Sequence, residues 1–240
     1  MHLGNLGLRS WIQERIGNIF DIFDLGALHP VREMQRRALA ETADYIQTNM
    51  AEAIGYYSGK KVLEHALRLV PPAGHLVEFG VYRGGSINLI ARHFPDRVVH
   101  GFDSFHGLPH DWHGWRDPKG KFSLHGRPPR VRPNVKLHVG LFEETLPAWL
   151  ELNLGVIGFA HVDCDLYSSA KTVLDLISPR IGPGSVLVFD EYFNFPFWRD
   201  HEFRAFQDVA ERAALKYRYT AYARTQVGVV VTSKGEPRAA

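Results

Sequence analysis

LVEFGVYRGGS, residues 76–86, is the stretch of this sequence that decides the fold. Its apolar start predicts a β-strand that ends at the carboxylate of Glu78. Gly80 and Gly84 then predict a tight turn, and Ser86 begins a helical pattern. A glycine turn lets a ligand approach the backbone, and the start of a helix offers unpaired N–H groups to an anion. We therefore expect a ligand site at this turn.

The spacing of the turn narrows the kind of ligand. It is Glu-x-Gly-x-x-x-Gly, and not the Gly-x-Gly-x-x-Gly that holds a dinucleotide pyrophosphate. A carboxylate before the first glycine disfavours a pyrophosphate and favours a ligand with an ammonium group or hydroxyls. The alternative interpretation is a turn with a structural role only.

Composition limits the class of protein. The chain has 240 residues, 45% of them hydrophobic and 22% charged, which is typical of a globular α/β domain with an appendage. A formal charge of +2 does not favour nucleic acid as a partner. Cys164 is the only cysteine, which excludes an internal disulfide and is typical of the reducing cytoplasm. The first thirty residues hold no long apolar run, so we expect neither a signal peptide nor a membrane segment.

The order of elements predicts two parts. Residues 1–70 have helical periodicity, and we expect a helical extension that acts as a lid or as a surface for homo-oligomers, or that packs on a sheet edge. Residues 71–235 alternate strands with helices, which predicts a doubly wound, mostly parallel sheet that ends in an antiparallel hairpin around residues 224–225. The predicted strands are residues 76–80, 97–103, 135–139, 156–163, 185–190, 216–223 and 226–232.

One long segment, residues 104–134, has no clear period. A loop of this length inside a domain is usually functional or disordered, and Trp112, Trp115 and Phe122 argue for packing. The loop also carries histidines, of which His110 is a candidate general base because imidazole titrates near neutral pH.

Acidic residues follow four of the predicted parallel strands. These residues are Glu78, Asp103, Asp163 and the pair that begins at Asp190. Ligands of doubly wound sheets bind beyond the carboxyl ends of the strands, so the four positions predict one shared site. Asp103 is placed to accept hydrogen bonds from ribose hydroxyls. Each acid could instead serve as a turn or cap residue.

Four segments carry a resemblance to a known family. EFGVYRGGS (78–86), GFDSFHGLP (101–109), HVDCDLYSS (161–169) and LVFDEYF (187–193) resemble motifs of the class I S-adenosylmethionine (SAM)-dependent methyltransferases. The similarity is greatest to the macrocin and mycinamicin (TylF-like) O-methyltransferases and weaker to the catechol O-methyltransferases. It covers roughly residues 48–232, and it implies a seven-stranded Rossmann-like sheet that binds SAM.

The resemblance also implies roles for individual residues. It implies that Asp103 binds the ribose of SAM, that Ser104 lies near the adenosine, and that Ser86 takes the methionyl carboxylate. The full set of implied cofactor-binding residues is Glu78, Gly80, Tyr82, Gly84, Ser86, Asp103, Ser104 and Asp163.

A metal site is implied by the same comparison. Asp163, Asp190 and Glu191 match the residues that hold Mg²⁺ in the resembling enzymes, with Asp163 in a catalytic position. An Asp-Glu pair stands here where those relatives carry Asp-Asp or Asp-Asn, which leaves the metal open. The alternative is that Asp163 orients the SAM amine and that Asp190 and Glu191 cap the next segment.

Three functional hypotheses follow. The leading one is a SAM-dependent O-methyltransferase that acts on a hydroxyl of a small molecule, such as a sugar or a natural-product diol, with assistance from a divalent metal. The second is a catalytically silent SAM-binding or scaffold protein. The third is an NAD-dependent oxidoreductase, against which the missing Gly-x-Gly-x-x-Gly counts. None of them calls for a nucleic acid or a membrane as partner.

Overall fold

The computed structural model describes residues 29–113 and 117–235. The first 28 residues of the predicted helical extension, and Trp115 in the long loop, lie outside these ranges. Within them, no helix is both long and apolar enough to cross a membrane.

Eight strands form one sheet. Their spatial order is β1-β7-β8-β6-β5-β2-β3-β4, and the neighbours from β6 through β4 pair in parallel. β8 pairs antiparallel with both β6 and β7. The strands are β1 (Ile54–Gly55), β2 (His75–Phe79), β3 (Val99–Asp103), β4 (Val135–Val139), β5 (Ile157–Val162), β6 (Val186–Phe189), β7 (Leu215–Tyr222) and β8 (Val227–Lys234).

The helices alternate with the parallel strands, as the periodicity predicts. Two short 3₁₀ turns, Ser178–Arg180 and Trp198–Asp200, accompany them. The helices are α1 (Pro30–Asn49), α2 (Gly59–Leu67), α3 (Gly85–His93), α4 (Phe142–Leu152), α5 (Tyr167–Ile177) and α6 (Glu202–Arg212).

The doubly wound sheet and its closing hairpin are confirmed, and the strand count needs one correction. The seven predicted strands are present, and β1 is an eighth, which pairs in parallel with β7 and forms an edge of the sheet. Only two residues form it, and both are exposed. So short a segment carries no period-two pattern, which is why the sequence did not indicate it.

Each face of the sheet has its own apolar core, because successive strand residues point to opposite faces. On β2, Leu76 packs with residues of α2 and α3, and Val77 packs with residues of α4, α5 and α6. On β6, Val188 packs on the same face as Leu76, and Phe189 packs on the same face as Val77. The acidic ends of the parallel strands therefore follow rigid, fully buried elements.

The helix α1 packs beside the segment that follows β6. The Tyr45 hydroxyl lies 2.5 Å from the Tyr219 hydroxyl, and Gln35 Nε2 donates to the Asn194 carbonyl at 2.8 Å. Arg199 approaches Glu41 at 3.7 Å. The helix is thus attached to the aromatic core, whereas its predicted roles in closing the site and in oligomer formation stay predictions.

The long loop is folded onto the domain. Phe105, Leu108 and Trp112 are buried in it. The amide of Leu108 donates to the Lys121 carbonyl at 2.9 Å, which closes the loop on itself. The described parts, 104–113 and 117–134, therefore form a packed structure, as their aromatic residues predict.

Candidate functional site

The acidic residues lie along one edge of the sheet because the backbone hydrogen bonds between neighbouring strands continue as far as these residues. The Asp163 amide donates to the Phe79 carbonyl at 2.8 Å, and the Asp190 amide donates to the Val162 carbonyl at 3.0 Å. These bonds place Asp163 beside the end of β2 and Asp190 beside the end of β5. The prediction that the acids meet at one site follows from this parallel register.

Gly80 lets the strand ends approach each other closely. Its φ is +90°, and a Cβ built at this position would lie 1.6 Å from the Asp163 carbonyl oxygen. A side chain is therefore excluded by contact as well as by conformation. The glycine is needed to bring β5 against the turn.

Asp103 holds the glycine turn in place. Its Oδ2 accepts hydrogen bonds from the amides of Val81, at 2.9 Å, and Tyr82, at 2.8 Å. Its Oδ1 accepts one from the amide of Phe105 at 2.7 Å. The carboxylate thus joins the turn to the start of the long loop, while its side chain also lines a cavity.

That first cavity has a volume of about 430 Å³ and lies beyond the strand ends. The loop contributes Leu108 and His110, and α5 contributes small polar side chains such as Ser169. Of the predicted cofactor residues, the lining includes Gly80, Tyr82, Asp103, Ser104 and Asp163. Its acidic lining consists of Asp103, Glu143, Asp163, Asp165, Asp190 and Glu191.

A second cavity of about 510 Å³ lies between β5, β6 and the helices α2 and α3. Gly59 and Lys60 at the start of α2, and Ser86 at the start of α3, line one side. Asp163 and Asp190 line both cavities. The two spaces therefore meet at these carboxylates, with helix N-termini facing the second.

Glu78 is fully buried and lines neither cavity. Its Oε1 lies 2.7 Å from His161 Nδ1, and His161 Nε2 lies 3.9 Å from Asp190 Oδ1 at the second cavity. Burial raises the pKa of Glu78. Burial opposes a proton on His161, but the hydrogen bond and charge of Glu78 outweigh it and raise the pKa of His161. The structure therefore places His161 between the predicted cofactor residue and the cavity.

Three carboxyl groups converge at the first cavity. Oxygen atoms of Asp163, Asp165 and Glu191 all lie within 4.8 Å of one another. Burial, reinforced by the charge of Asp190, raises the pKa of each group, that of Asp165 to about 7. Glu191 Oε2 is buried and has no hydrogen-bond partner in the described chain.

Asp190 points in a different direction from these three. Its Oδ1 accepts a hydrogen bond from Gln226 Nε2 at 3.1 Å and faces His161. Of the predicted metal set, Asp163 and Glu191 lie in one cluster with Asp165, and Asp190 lies outside this cluster where the two cavities meet.

The converging carboxyls fit a hard divalent cation. Mg²⁺ prefers oxygen ligands, and one buried oxygen of Glu191 lacks a partner. Across residues 29–113 and 117–235, no recorded ion pair joins a lysine or arginine to Asp163, Asp165 or Glu191. Like charges raise the free energy of such a cluster unless a positive charge lies among them.

The remaining candidates lie at the edges of the site. His110 is exposed and lines the first cavity, so a role as base stays a prediction. Gly84, with φ +79°, is the N-cap of α3 and lines neither cavity. Tyr192, Phe193, Phe195 and Trp198 are fully buried in the apolar core and line neither cavity.

Two residues of the site carry no prediction from the sequence. Asp165 does have a signal, because Asp163-x-Asp165 puts two acids at the end of one strand. His161 has none, because it lies inside β5 and only the fold brings its ring to the second cavity.

The sheet order and the glycine turn define a Rossmann-like α/β fold with an acidic site beyond the ends of its strands. Residues 77–192 match the family model of a methyltransferase domain. The similar proteins of known sequence are O-methyltransferases.

Two relatives that share part of this sequence are O-methyltransferases. Demethyldecarbamoylnovobiocin O-methyltransferase of Streptomyces niveus is 31% identical over 159 residues, which are 58% of this chain and 61% of that protein. A tetracenomycin-C rhamnosyl 4'-O-methyltransferase of Streptomyces olivaceus is 31% identical over 144 residues, which are 50% of this chain and 53% of that protein. The chain thus spans about three fifths and about half of these curated relatives.

A solved structure supports the fold. The crystal structure of CalS11, a calicheamicin methyltransferase, matches with a TM-score of 0.55 and 25% identity. The match covers 72% of this chain and 76% of that one.

Proposed function

We propose that this protein is a SAM-dependent O-methyltransferase that acts on a hydroxyl of a small molecule, with a sugar or a natural-product diol as the acceptor. The observation that carries the proposal is the meeting of two cavities at Asp163 and Asp190. Methyl transfer needs a donor and an acceptor in line at one point. The two relatives that act on decorated natural products support this class of acceptor.

The second cavity suits the amino-acid end of SAM. Ser86 and the N-termini of α2 and α3 offer N–H groups and a partial positive charge to a carboxylate. Asp163 and Asp190 offer carboxylate oxygens as acceptors to an ammonium group. In the first cavity, Asp103 and Ser104 are placed for ribose hydroxyls. SAM supplies a methyl group on a sulfonium centre, and the protein positions it.

The first cavity would also receive the acceptor. Asp163, Asp165 and Glu191 would hold a divalent cation, which when bound supplies a positive charge that lowers the pKa of an acceptor hydroxyl. His110 lines the rim of this cavity and would accept the proton of the acceptor hydroxyl.

Binding of the donor can be measured first. Calorimetric titration of the chain with the demethylated product, S-adenosylhomocysteine (SAH), should show binding, and titration with NAD should show none. Asp103→Asn should weaken SAH binding about tenfold or more, because it loses charge-assisted hydrogen bonds in a partly buried site. Binding of NAD without SAH would overturn the proposal.

Turnover with diol acceptors then tests the cation. EDTA should suppress methylation and Mg²⁺ should restore it. Asp165→Asn should abolish Mg²⁺ binding, because Asp165 lies in the carboxyl cluster. Asp190→Asn should retain Mg²⁺ binding, because Asp190 lies outside that cluster. Full turnover after exhaustive chelation would refute the cation. SAH binding without turnover on any diol would favour a silent SAM-binding protein.

A further inference from the structure

Glu202 is a fully buried carboxylate that neither the sequence motifs nor the proposed reaction uses. It is the first residue of α6, and its side chain has no exposed surface. Burial, and then the charge of Asp165, raise its pKa. A buried acid of this kind needs donors around it.

All of its hydrogen-bond donors come from the two segments that carry the carboxyl cluster. Oε1 accepts from the amides of Cys164 and Asp165, both at 3.2 Å. Oε2 accepts from the amide of Glu191 at 3.1 Å. One side chain therefore connects the end of β5 to the end of β6.

The backbone at Asp165 shows why such a connection is needed. Its φ is +63°, which residues other than glycine adopt infrequently and which persists where neighbouring groups fix it. Glu202 accepts hydrogen bonds from two consecutive amides, that of Asp165 itself and that of Cys164 before it. At the end of β6, the Glu191 amide donates to Glu202, whereas the side-chain Oε2 of Glu191 has no hydrogen-bond partner in the described chain.

We propose that Glu202 is a positioning residue that sets the separation between Asp165 and Glu191, and so determines whether the cluster binds a divalent cation. It reaches the cluster through main-chain amides, and it is not itself a ligand. The inference rests on the proposed cation site. The helix N-terminus on which Glu202 lies favours its negative charge.

Glu202→Gln tests this with little change of volume. Glutamine offers one acceptor oxygen and an NH₂ group, so it cannot accept from all three amides. We expect Mg²⁺ affinity, measured by calorimetry on the protein alone, to fall about tenfold or more, while SAH affinity stays within about twofold. Asp208→Asn is the matched control on the same helix, because Asp208 accepts from the Tyr167 hydroxyl and lines neither cavity. It should leave both affinities unchanged.

Other outcomes would overturn the proposal. Unchanged Mg²⁺ affinity with a lower melting temperature would make Glu202 a structural residue only, and an equal loss of Mg²⁺ and SAH binding would indicate general disruption. If circular dichroism shows that Glu202→Gln does not fold, Glu202→Asp replaces it, since aspartate keeps the charge but is too short to reach both segments. A wild-type chain that binds SAH but not Mg²⁺ would refute this inference and leave the methyltransferase proposal standing. A wild-type chain that binds Mg²⁺ but not SAH would refute the methyltransferase proposal and leave the inference about Glu202 standing.

Discussion

At the scale of single residues, the site depends on positions where close contacts permit only one type of amino acid. Gly80 is the clearest case, because its hydrogen atom occupies the space in which a methyl group would meet the Asp163 carbonyl. Gly85 lies five positions later in the same motif and has no atom within 4 Å of a built Cβ. The two glycines therefore form a natural pair for comparison.

We expect Gly80→Ala to lower the free energy of unfolding by about 3 kcal/mol or more, since it combines a backbone clash with a disfavoured φ. Gly85→Ala should change it by less than about 1 kcal/mol, in the stabilising direction, because its backbone is helical. Urea unfolding of the two variants measures the difference. Equal effects would mean that β5 can move away from the turn.

At the scale of elements, a histidine cluster joins β3, β4 and α4 away from the site. His100 Nδ1 accepts from Trp149 Nε1 at 3.0 Å and lies 3.0 Å from His138 Nε2. Burial, and then the neighbouring His138 and His75, lower the pKa of His100 to about 4. The hydrogen bond from Trp149 requires a neutral ring.

This cluster predicts a loss of stability in acid. The histidine of the unfolded chain takes up its proton near pH 6.5, and that of the folded chain only near pH 4. The contribution is therefore fully present above pH 6.5 and is lost as the pH falls towards 4, by about 1–3 kcal/mol. In chemical denaturation from pH 7 to 4, His100→Gln should flatten this dependence. His93→Gln, on the exposed surface of α3, should leave it unchanged.

The long loop is the second element with a testable property. It supplies Leu108, His110 and Phe122 to the first cavity, directly after the ribose-binding candidate Asp103. Lys119 and Lys121 in it are exposed to trypsin.

We expect SAH together with a diol acceptor to slow tryptic cleavage in residues 117–127 severalfold, because a ligand held against the loop disfavours its opening. NAD in place of SAH serves as the control and should leave the rate as it is in the free protein. The same rate with and without SAH and acceptor would contradict the prediction that the loop closes over the site.

At the scale of the whole molecule, the carboxyl cluster couples stability to pH and to cations. Burial raises the pKa of Asp165 to about 7, above its unfolded value. The folded state then binds more protons than the unfolded state, so this group lowers stability as the pH rises through about 7. A bound cation would cancel that loss, since it favours the charged form.

Mg²⁺ should therefore raise the melting temperature more at pH 8 than at pH 5. Differential scanning fluorimetry measures this, with KCl at matched ionic strength as the control. Asp165→Asn should remove the difference between the two pH values. A shift that is equal at both, or that KCl reproduces, would show that the cation acts by general screening and not at the cluster.

Much of this molecule is determined by local sequence. Alternating apolar runs and turn residues fix the parallel strands, and the acids that follow them must share a rim because parallel strands end on the same side. The hairpin around Arg224 and the glycine turn at Gly80 are equally local, since each depends on a few adjacent residues.

The tertiary structure decided which acids act together. Asp165 joins the cluster through a positive φ, whereas Asp190 turns to Gln226, and neither choice is visible in the spacing of the motifs. Glu78 finds His161 on a neighbouring strand, and Glu202 reaches amides 37 and 38 residues earlier in the chain. Side-chain direction at a strand end depends on which donors the packed elements bring within about 3 Å, and only the folded chain sets that distance.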